Sequence, residues 1–332
     1  MQRSWIIGCL SALILMSAGT IPARAAGDFQ IWLNDFKAEA IQKGIRPETV
    51  DTALAGVQPI DRVLELDRKQ PEFSMTFDSY IARVVSPQRI ARGRALLAEE
   101  RPLLDAVAER YGVPAPVIVA MWGIESDFGR ITGNFETVHA LATLAYDGRR
   151  GRYFRGELMN ALTMIDRNNL SVVEMTGSWA GAMGQCQFMP STYLSYAVDW
   201  DGDGKADIWT NRADVFASAA NYLSRAGWDP AQGWGRRVLP PEHGIAEILI
   251  GADQKRGLAE WARLGLRNAD GTPLAPGEGD AFLIRAEAGK GNDRGTGPLY
   301  LVGNNFQVFM RWNKSTFFAL AAGTLADAIG TH

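Results

Sequence analysis

The chain has 332 residues, with 34 basic and 37 acidic side chains and a formal net charge of −3 at pH 7. This slightly acidic balance argues against a nucleic-acid binder, which needs a basic face, and the length allows a large hydrophobic core in one subdivided unit or two domains. The three histidines lack a metal-ligand spacing and no Walker or G-x-G-x-x-G motif occurs in a credible context, which argues against zinc, nucleotide and organic cofactors.

The first 25 residues have the pattern of a secretory signal. Arg3 precedes an apolar run from Trp5 to Met16, and Ala23-Arg-Ala25 fits a small-x-small cleavage site. We therefore expect residues 1–25 to be a signal peptide and the protein to be exported. The sequence before Cys9 loosely matches a lipoprotein acylation site, but the apolar run continues past it, so a lipid anchor is the less favoured alternative.

Helical spacing of apolar residues dominates from Asp28 to about Gly235. Ser86-Pro87 is a good cap and first-turn pair, and it predicts one long helix that runs to Tyr111. Two more helices are expected at residues 135–146 and 153–166. The pattern therefore predicts a mainly α fold for this part of the chain.

The segment Met121–Gly129 is the most informative part of the sequence. A run that begins at Pro116 is apolar on every face, which predicts a buried helix with Glu125 near its last turn. Burial and the negative helix C-terminus both disfavour a charged carboxylate, so we expect a raised pKa for Glu125, as a general acid requires. A helix-end glutamate paired with an arginine is the alternative. Asp127 lies about 200° further around the helix and is interpreted as a surface or capping group.

A block of small residues, Gly177–Pro190, would allow a ligand to approach the backbone closely. Within it, Ser178, Gln185 and Gln187 offer neutral donors and acceptors, which suit sugar hydroxyls and amides. A tight turn between packed helices explains the glycines equally well.

The segment Asp199–Asp207 has the spacing of a calcium-binding loop. Its aspartates occupy loop positions 1, 3, 5 and 9 with Gly204 at position 6, as in an EF-hand, but Thr210 stands where the usual glutamate would be. Alternating carboxylates repel one another without a cation, so we favour a structural calcium site over a plain Asp-Gly turn.

The pattern changes after Trp234. Gly- and Pro-rich turns separate strand-like runs at residues 281–286, 299–302 and 306–312, with a helical stretch at 257–265. Residues 314–329 again look helical. We therefore expect a small β subdomain that is inserted before the C-terminal helix.

Three separated blocks, residues 122–129, 181–190 and 311–315, together resemble the lytic murein transglycosylases of the membrane-bound B type, glycoside hydrolase family 103. The resemblance implies a lysozyme-like catalytic core at 112–235. It also implies a helical domain at 26–111 plus 314–332, a β subdomain at 236–313, and a periplasmic location.

The resemblance also implies roles for individual residues. Glu125 would be the sole catalytic acid and base. The resemblance places Ser178 and Gln187 in the sugar-binding cleft, Asn313 near the reaction centre, and Tyr80 and Tyr222 as aromatic platforms. Arg149 and Arg150 come instead from a basic cluster after Gly148, which would bind the peptide carboxylates of murein unless it is a solvated, charge-balanced loop. The calcium ligands would be Asp199, Asp201, Asp203, the backbone carbonyl of Lys205, and Asp214. Trp312 departs from the family, which usually has tyrosine there, and we expect it to keep the ring packing but lose the phenol donor.

The implied reaction cleaves the MurNAc-GlcNAc β-1,4 bond of peptidoglycan and forms a 1,6-anhydromuramoyl end. One carboxylate suffices because the substrate's acetamide and C6 hydroxyl would replace a second one. No organic cofactor is implied, and the expected partner is the glycan strand. The sequence leaves open whether proteins of cell-wall synthesis or division also bind. Two alternatives stay open: a hydrolytic muramidase with the same acid, and a catalytically silent protein that binds the cell wall.

Overall fold

The structure is a computed structural model that describes residues 23–69, 75–168, 170–251, 254–275, 279–286 and 297–331. The signal peptide predicted for residues 1–25 lies outside these ranges, except that its last three residues begin the first helix. In the described part of the chain, no helix combines the length and the apolar character that crossing a lipid bilayer requires.

The described part of the chain begins with six helices, and two of them correct a prediction. The single helix expected to run to Tyr111 is in fact two helices that meet at Glu100. Pro102 explains the break, because its ring lacks an N–H and excludes the carbonyl four residues earlier. The helices are α1 Ala23–Gln42, α2 Pro47–Ala53, α3 Asp61–Arg68, α4 Phe77–Val84, α5 Pro87–Glu99 and α6 Arg101–Tyr111.

The middle of the chain surrounds a buried helix, α7, which carries Glu125. The helices expected at 135–146 and 153–166 are both present. The elements are α7 Ala115–Ser126, β1 Phe135–Glu136, α8 Thr137–Asp147, α9 Gly151–Asn168, β2 Thr176–Gly177, α10 Pro190–Tyr196 and α11 Arg212–Arg225. Strands β1 and β2 form an antiparallel pair that joins the start of α8 to the glycine-rich block.

The β region forms a five-stranded antiparallel sheet among the described residues, with the strand order β4-β6-β7-β3-β5. Its elements are β3 Gly235–Leu239, β4 Arg256–Gly257, α12 Leu258–Arg263, β5 Arg267–Asn268, β6 Asp280–Arg285 and β7 Leu299–Val302. The strands predicted at 281–286 and 299–302 are present as β6 and β7, and Leu283 lies opposite Leu301.

The strand predicted at residues 306–312 is wrong, because this segment is helix α13, Asn304–Trp312. Alternate apolar residues suggested a strand, but Phe306 and Phe309 are both buried, which is the spacing of a helix face. The last helix, α14 Thr316–Gly330, begins where Ser315 Oγ accepts the Phe318 N–H, and it confirms the helix predicted there.

Both faces of the sheet are covered. Leu299 and Leu301 pack around Trp261 in a small cluster of their own, whereas Tyr300 and Val302 face the main helical core. This alternation follows the two-residue period of a strand. The sheet is therefore attached to the helical body through one face, beside the helices that carry the candidate site.

Candidate active site

Glu125 lies in the last turn of α7, where the chain reverses sharply. Asp127 and Phe128 both have positive φ angles, 52° and 60°, and Gly129 continues the left-handed turn. Ser126 stabilises it, because its hydroxyl donates to the Trp122 carbonyl (3.2 Å) and accepts the Gly129 N–H (3.0 Å). Non-glycine residues seldom adopt this conformation except where the surrounding structure enforces it. The turn thereby places the half-buried Glu125 side chain at the end of an apolar helix.

The Glu125 carboxyl accepts a hydrogen bond from Trp312, the last residue of α13. The Trp312 indole Nε1 lies 2.6 Å from Glu125 Oε1. Trp312 lacks the phenol donor of the family tyrosine, as expected, but its indole N–H donates to Glu125 instead. The expectation that Trp312 would keep the ring packing is confirmed, since its ring centroid lies 5.3 Å from that of Phe188 and 4.7 Å from that of Tyr222.

A small apolar cavity of 10 Å³ separates Glu125 from the core. Besides Glu125 and Trp312 its walls are Ile118, Met121, Trp122, Cys186, Val215, Phe216 and Ala219. Burial raises the pKa of the Cys186 thiol, and the negative charge of Glu125 raises it further. The cavity is at the lower limit of what one water molecule needs, about 10–15 Å³. One side of the carboxyl therefore faces apolar side chains.

Asp127, the nearest other carboxylate in sequence, is bound elsewhere. It lies 3.5 Å from the Arg89 guanidinium and also pairs with Arg130. Its position at the C-cap of α7 agrees with the capping role considered for it. Its carboxylate is thus engaged by two cations and is poorly suited to serve as a second catalytic group.

The glycine-rich block forms a compact turn against the chain that follows α7. Gln187, with φ 50°, donates from its amide nitrogen to the carbonyls of Thr132 (3.0 Å) and Gly184 (2.9 Å). A Cβ at Gly133 would overlap the Gly177 carbonyl, so the two segments touch through backbone alone. The Ser178 hydroxyl accepts the Ala182 N–H at 3.2 Å, and no described residue accepts its hydrogen. Ser178 and Gln187 therefore belong to a segment that packs against the chain following α7, and their contact with substrate stays a prediction.

Gln185 has a structural role, although the sequence also allowed it to bind a ligand. Its amide oxygen accepts the Trp122 indole N–H at 2.7 Å, and its amide nitrogen donates to the Trp209 carbonyl at 2.7 Å. The side chain is 8% exposed. The oxygen and the nitrogen of this amide are therefore both hydrogen-bonded within the protein.

Tyr222 and Asn313 flank Trp312. The Tyr222 hydroxyl donates to the Arg311 carbonyl at 2.8 Å, and burial raises the pKa of that phenol. Asn313 ends α13, where its side-chain oxygen accepts the Ser315 N–H at 3.0 Å. Tyr80 is on α4, and its ring packs 5.7 Å from that of Phe317, which follows Asn313 by four residues. The structure therefore gathers these three residues around or beside the Trp312 segment.

Arg149 and Arg150 contact a different group. Both guanidinium groups bind the buried Asp67, at 2.5 Å and 2.6 Å, and Arg150 also lies over the Phe154 ring. Burial alone would raise the pKa of the Asp67 carboxyl, but the two arginine hydrogen bonds outweigh it and the pKa lies below its ordinary value. About half of each arginine side chain is still exposed, at 52% and 43%. Their expected contact with substrate stays a prediction.

The acidic loop, residues Asp199–Asp207, groups three carboxylates. Oxygens of Asp199, Asp201 and Asp203 lie within 4.8 Å of one another. Asp199 accepts the backbone N–H groups of Gly202 and Gly204, at 2.8 Å and 2.9 Å, which folds the loop around these oxygens. Hard oxygen ligands at this spacing suit Ca²⁺.

The other two expected ligands border the acidic loop. Asp214 is fully buried and accepts the backbone N–H groups of Trp200 (2.8 Å) and Asp207 (2.7 Å), while burial raises the pKa of its carboxyl. The Lys205 ammonium binds Glu174 at 2.8 Å, and this bond lowers the pKa of Glu174 to about 2. Asp214 therefore closes the loop through backbone contacts, and the backbone carbonyl of Lys205 is the group that could bind a cation.

Two functional contacts escaped the sequence reasoning. The Trp312–Glu125 bond joins residues 187 positions apart, and the Gln185 bridge joins three segments of the chain. The only signal in the sequence was the presence of donor groups within the blocks that resemble the family. Which acceptor each donor meets depends on the packing of distant helices.

Comparison with known proteins supports the same assignment over nearly the whole chain. Residues 28–327 match the transglycosylase SLT domain family. Membrane-bound lytic murein transglycosylase B of Escherichia coli (strain K12) is 33% identical over 300 residues, which cover 86% of this chain and 79% of that protein.

Solved structures agree with this match. SltB3 of Pseudomonas aeruginosa in complex with NAG-NAM-pentapeptide is 40% identical with a TM-score of 0.85, covering 92% of this chain and 80% of that one. The Escherichia coli lytic transglycosylase Slt35 in complex with calcium is 31% identical with a TM-score of 0.74, covering 90% of this chain and 92% of that one. The mainly α, lysozyme-like fold expected from the sequence is confirmed by these neighbours. The chain therefore belongs to the transglycosylase SLT domain family and is a lytic transglycosylase of the murein-cleaving B type.

Proposed function

We propose that this protein cleaves the MurNAc-GlcNAc β-1,4 bond of peptidoglycan and leaves a 1,6-anhydromuramoyl end, with Glu125 as the single general acid and base. The observation that carries the proposal is the half-buried Glu125 carboxyl, which accepts a hydrogen bond from Trp312 and lies beside a cavity with mainly apolar walls. The SltB3 complexes with NAG-NAM-pentapeptide and NAG-anhNAM-pentapeptide support this substrate and this product.

The proposed reaction needs no second carboxylate. Glu125 gives its proton to the glycosidic oxygen as the bond from C1 to that oxygen breaks, and the bond electrons leave with the oxygen. The C6 hydroxyl of the same sugar then bonds to C1 and returns its proton to Glu125. Intramolecular attack is favoured by effective molarities that reach about 10⁵ M or more in well-oriented systems. The engagement of Asp127 by Arg89 and Arg130 is consistent with a single-carboxylate site.

The remaining site residues follow from their positions. We propose that Ser178 and Gln187 bind sugar hydroxyls and acetamides, that Asn313 binds near the reaction centre, and that Tyr80 and Tyr222 pack against sugar rings. Tyr222 is itself tied to the Arg311 carbonyl, so its ring face would make the contact. Arg149 and Arg150 would bind peptide carboxylates with the donors that Asp67 does not occupy.

We also propose a structural calcium ion in the acidic loop, with Asp199, Asp201, Asp203, the Lys205 carbonyl and Asp214 as the ligand set. The grouped oxygens and the calcium complex of Slt35 support it. The signal pattern supports export to the periplasm. The separate small cluster around Trp261 supports a β subdomain at 236–313, beside the core at 112–235 and the helical domain at 26–111 plus 314–332.

The experiment compares digests of purified sacculi by mass spectrometry. We expect anhydro ends from the parent enzyme, and about a 10³-fold or larger loss of turnover in Glu125→Gln, because general acid–base catalysis contributes roughly 10²–10⁴-fold and this residue serves twice. Glu109→Gln, on an exposed face of α6, is the matched control and should digest normally.

Each alternative has its own outcome in this experiment. Reducing sugar ends would show a hydrolytic muramidase, in which water reaches C1 before the C6 hydroxyl. Glycan binding without any digestion would show a silent cell-wall binder. Normal turnover by Glu125→Gln would remove the acid assignment.

A further inference from the structure

We infer that Trp312 is a positioning residue that determines which oxygen of Glu125 carries the catalytic proton. The indole N–H holds Oε1 as an acceptor throughout the reaction, so the proton is given and taken back at Oε2. This inference rests on the proposed function, because it concerns how the same carboxyl works.

The first step of the argument is the chemistry of the donor. An indole Nε1–H can donate a hydrogen bond but cannot accept one. At 2.6 Å from Oε1 it occupies that oxygen at close range. The hydroxyl oxygen of a carboxylic acid is a much weaker acceptor than the carbonyl oxygen. The neutral acid therefore keeps its carbonyl at Oε1 and its O–H at Oε2.

The second step is the rigidity of the donor. The Trp312 ring packs against those of Phe188 and Tyr222, which also contact each other at 6.0 Å, and the Tyr222 hydroxyl donates to the carbonyl of Arg311, the preceding residue. The Tyr222 ring also packs 4.7 Å from that of Tyr196. The donor is thus held from the side of the ring and from the backbone. A donor fixed in this way does not have to reorganise when the charge on the carboxyl changes.

The third step is the cycle of the carboxyl itself. Glu125 is neutral before the first proton transfer and negative after it. The N–H···O bond becomes charge-assisted at that moment and is therefore strongest when the carboxylate is formed. An interaction that strengthens along the reaction increases kcat and has little effect on substrate binding. A tyrosine hydroxyl could rotate and accept the proton of the acid instead, whereas tryptophan excludes that arrangement.

The kinetic test removes the N–H and keeps the ring. We expect Trp312→Phe to lower kcat about 10- to 100-fold, which corresponds to one hydrogen bond to a charged group, with KM changed less than about threefold. Trp312→Tyr restores a donor and should recover at least about fivefold of the loss. Trp32→Phe, an aromatic substitution on α1, is the matched control and should leave both constants unchanged.

A spectroscopic test reports the bond without turnover. The indole N–H resonance of Trp312, assigned by its loss in Trp312→Phe, should move upfield in Glu125→Ala, because that substitution removes the acceptor of its hydrogen bond. The indole resonance of Trp32 should not move.

The outcomes separate this inference from the proposed function. Equal loss of kcat in Trp312→Phe and Trp312→Tyr, or an indole resonance that does not change in Glu125→Ala, would overturn the inference and leave the reaction as proposed. Full turnover in Glu125→Gln would overturn the proposed function, while the resonance would still report the bond. Thermal melting of each variant within a few degrees of the parent shows that the comparison is made on folded protein.

Discussion

The catalytic turn after α7 and the acidic loop both present carboxylates, but they treat them in opposite ways. Glu125 is one half-buried carboxyl with an indole donor and an apolar wall. The acidic loop has several carboxylates, of which Asp201 and Asp203 are exposed, and it folds around their oxygens with its own N–H groups. A lone, half-buried carboxyl beside apolar side chains suits proton transfer, whereas grouped oxygens that reach solvent suit a hard cation.

The two regions are physically joined by Gln185. Its amide links the Trp122 indole, one turn before Glu125, to the carbonyl of Trp209, which follows the acidic loop. The Trp209 indole in turn donates to the Thr176 carbonyl at 2.9 Å, next to the glycine-rich block. Three substitutions test this comparison: one at Gln185, one in the acidic loop, and one at Asp67, a carboxylate outside both regions.

The largest expected effect on stability comes from removing the two Gln185 hydrogen bonds. Gln185→Met keeps the side-chain volume but leaves the Trp122 N–H and the Trp209 carbonyl without their partner. We expect the free energy of unfolding to fall by about 2–5 kcal/mol, because each buried unsatisfied group costs about 1–3 kcal/mol. Urea denaturation measures the loss.

Gln42→Met, on the exposed side of α1, is the matched control and should lie within about 0.5 kcal/mol of the parent. If Gln185→Met unfolds at the parent urea concentration, the amide contributes nothing and the two regions are independent.

The second-largest effect on stability is expected from a calcium ion bound in the acidic loop. An ion at 100 times its dissociation constant stabilises the folded state by about 2.7 kcal/mol, so a chelator should lower the melting temperature by several degrees. Asp201→Asn should remove most of that difference, and Asp270→Asn, an exposed aspartate elsewhere, should preserve it. A melting temperature that is the same with calcium and with chelator would argue against a calcium site in the acidic loop.

The smallest effect on stability is expected at Asp67, a buried carboxylate that takes part neither in the proposed proton transfer nor in the proposed calcium site. Its pKa is held below the ordinary value, so its stabilising contribution is present above the unfolded-state pKa and is lost as the pH falls through the folded-state value. Asp67→Asn should therefore cost about 1–2 kcal/mol at pH 7, and this cost should shrink as the pH falls through the folded-state pKa. Chemical denaturation across this pH range measures it, and a cost that is independent of pH would contradict the assignment.

The sequence predicted the mainly α fold, the end of α7 at Glu125 and two central strands of the sheet, because each has a strong local pattern. It failed where two patterns overlap. The 306–312 segment alternates like a strand and also places Phe306 and Phe309 on one helix face, and packing against the core decides for the helix. Pro102 was present in the long predicted helix, but its effect was underestimated. The Trp312 donor could not be assigned because its acceptor is distant in sequence.

The separation of Glu125 from Trp312 has a consequence for biogenesis. The catalytic helix is synthesised early, yet its indole partner and the covering helix α14 come from residues 304–330. The two residues are far apart along the chain, and contacts between distant segments form slowly during folding. The carboxyl and its donor therefore meet only after segments on both sides of the β region have packed together, and a chain cut before residue 304 would keep Glu125 without its indole partner.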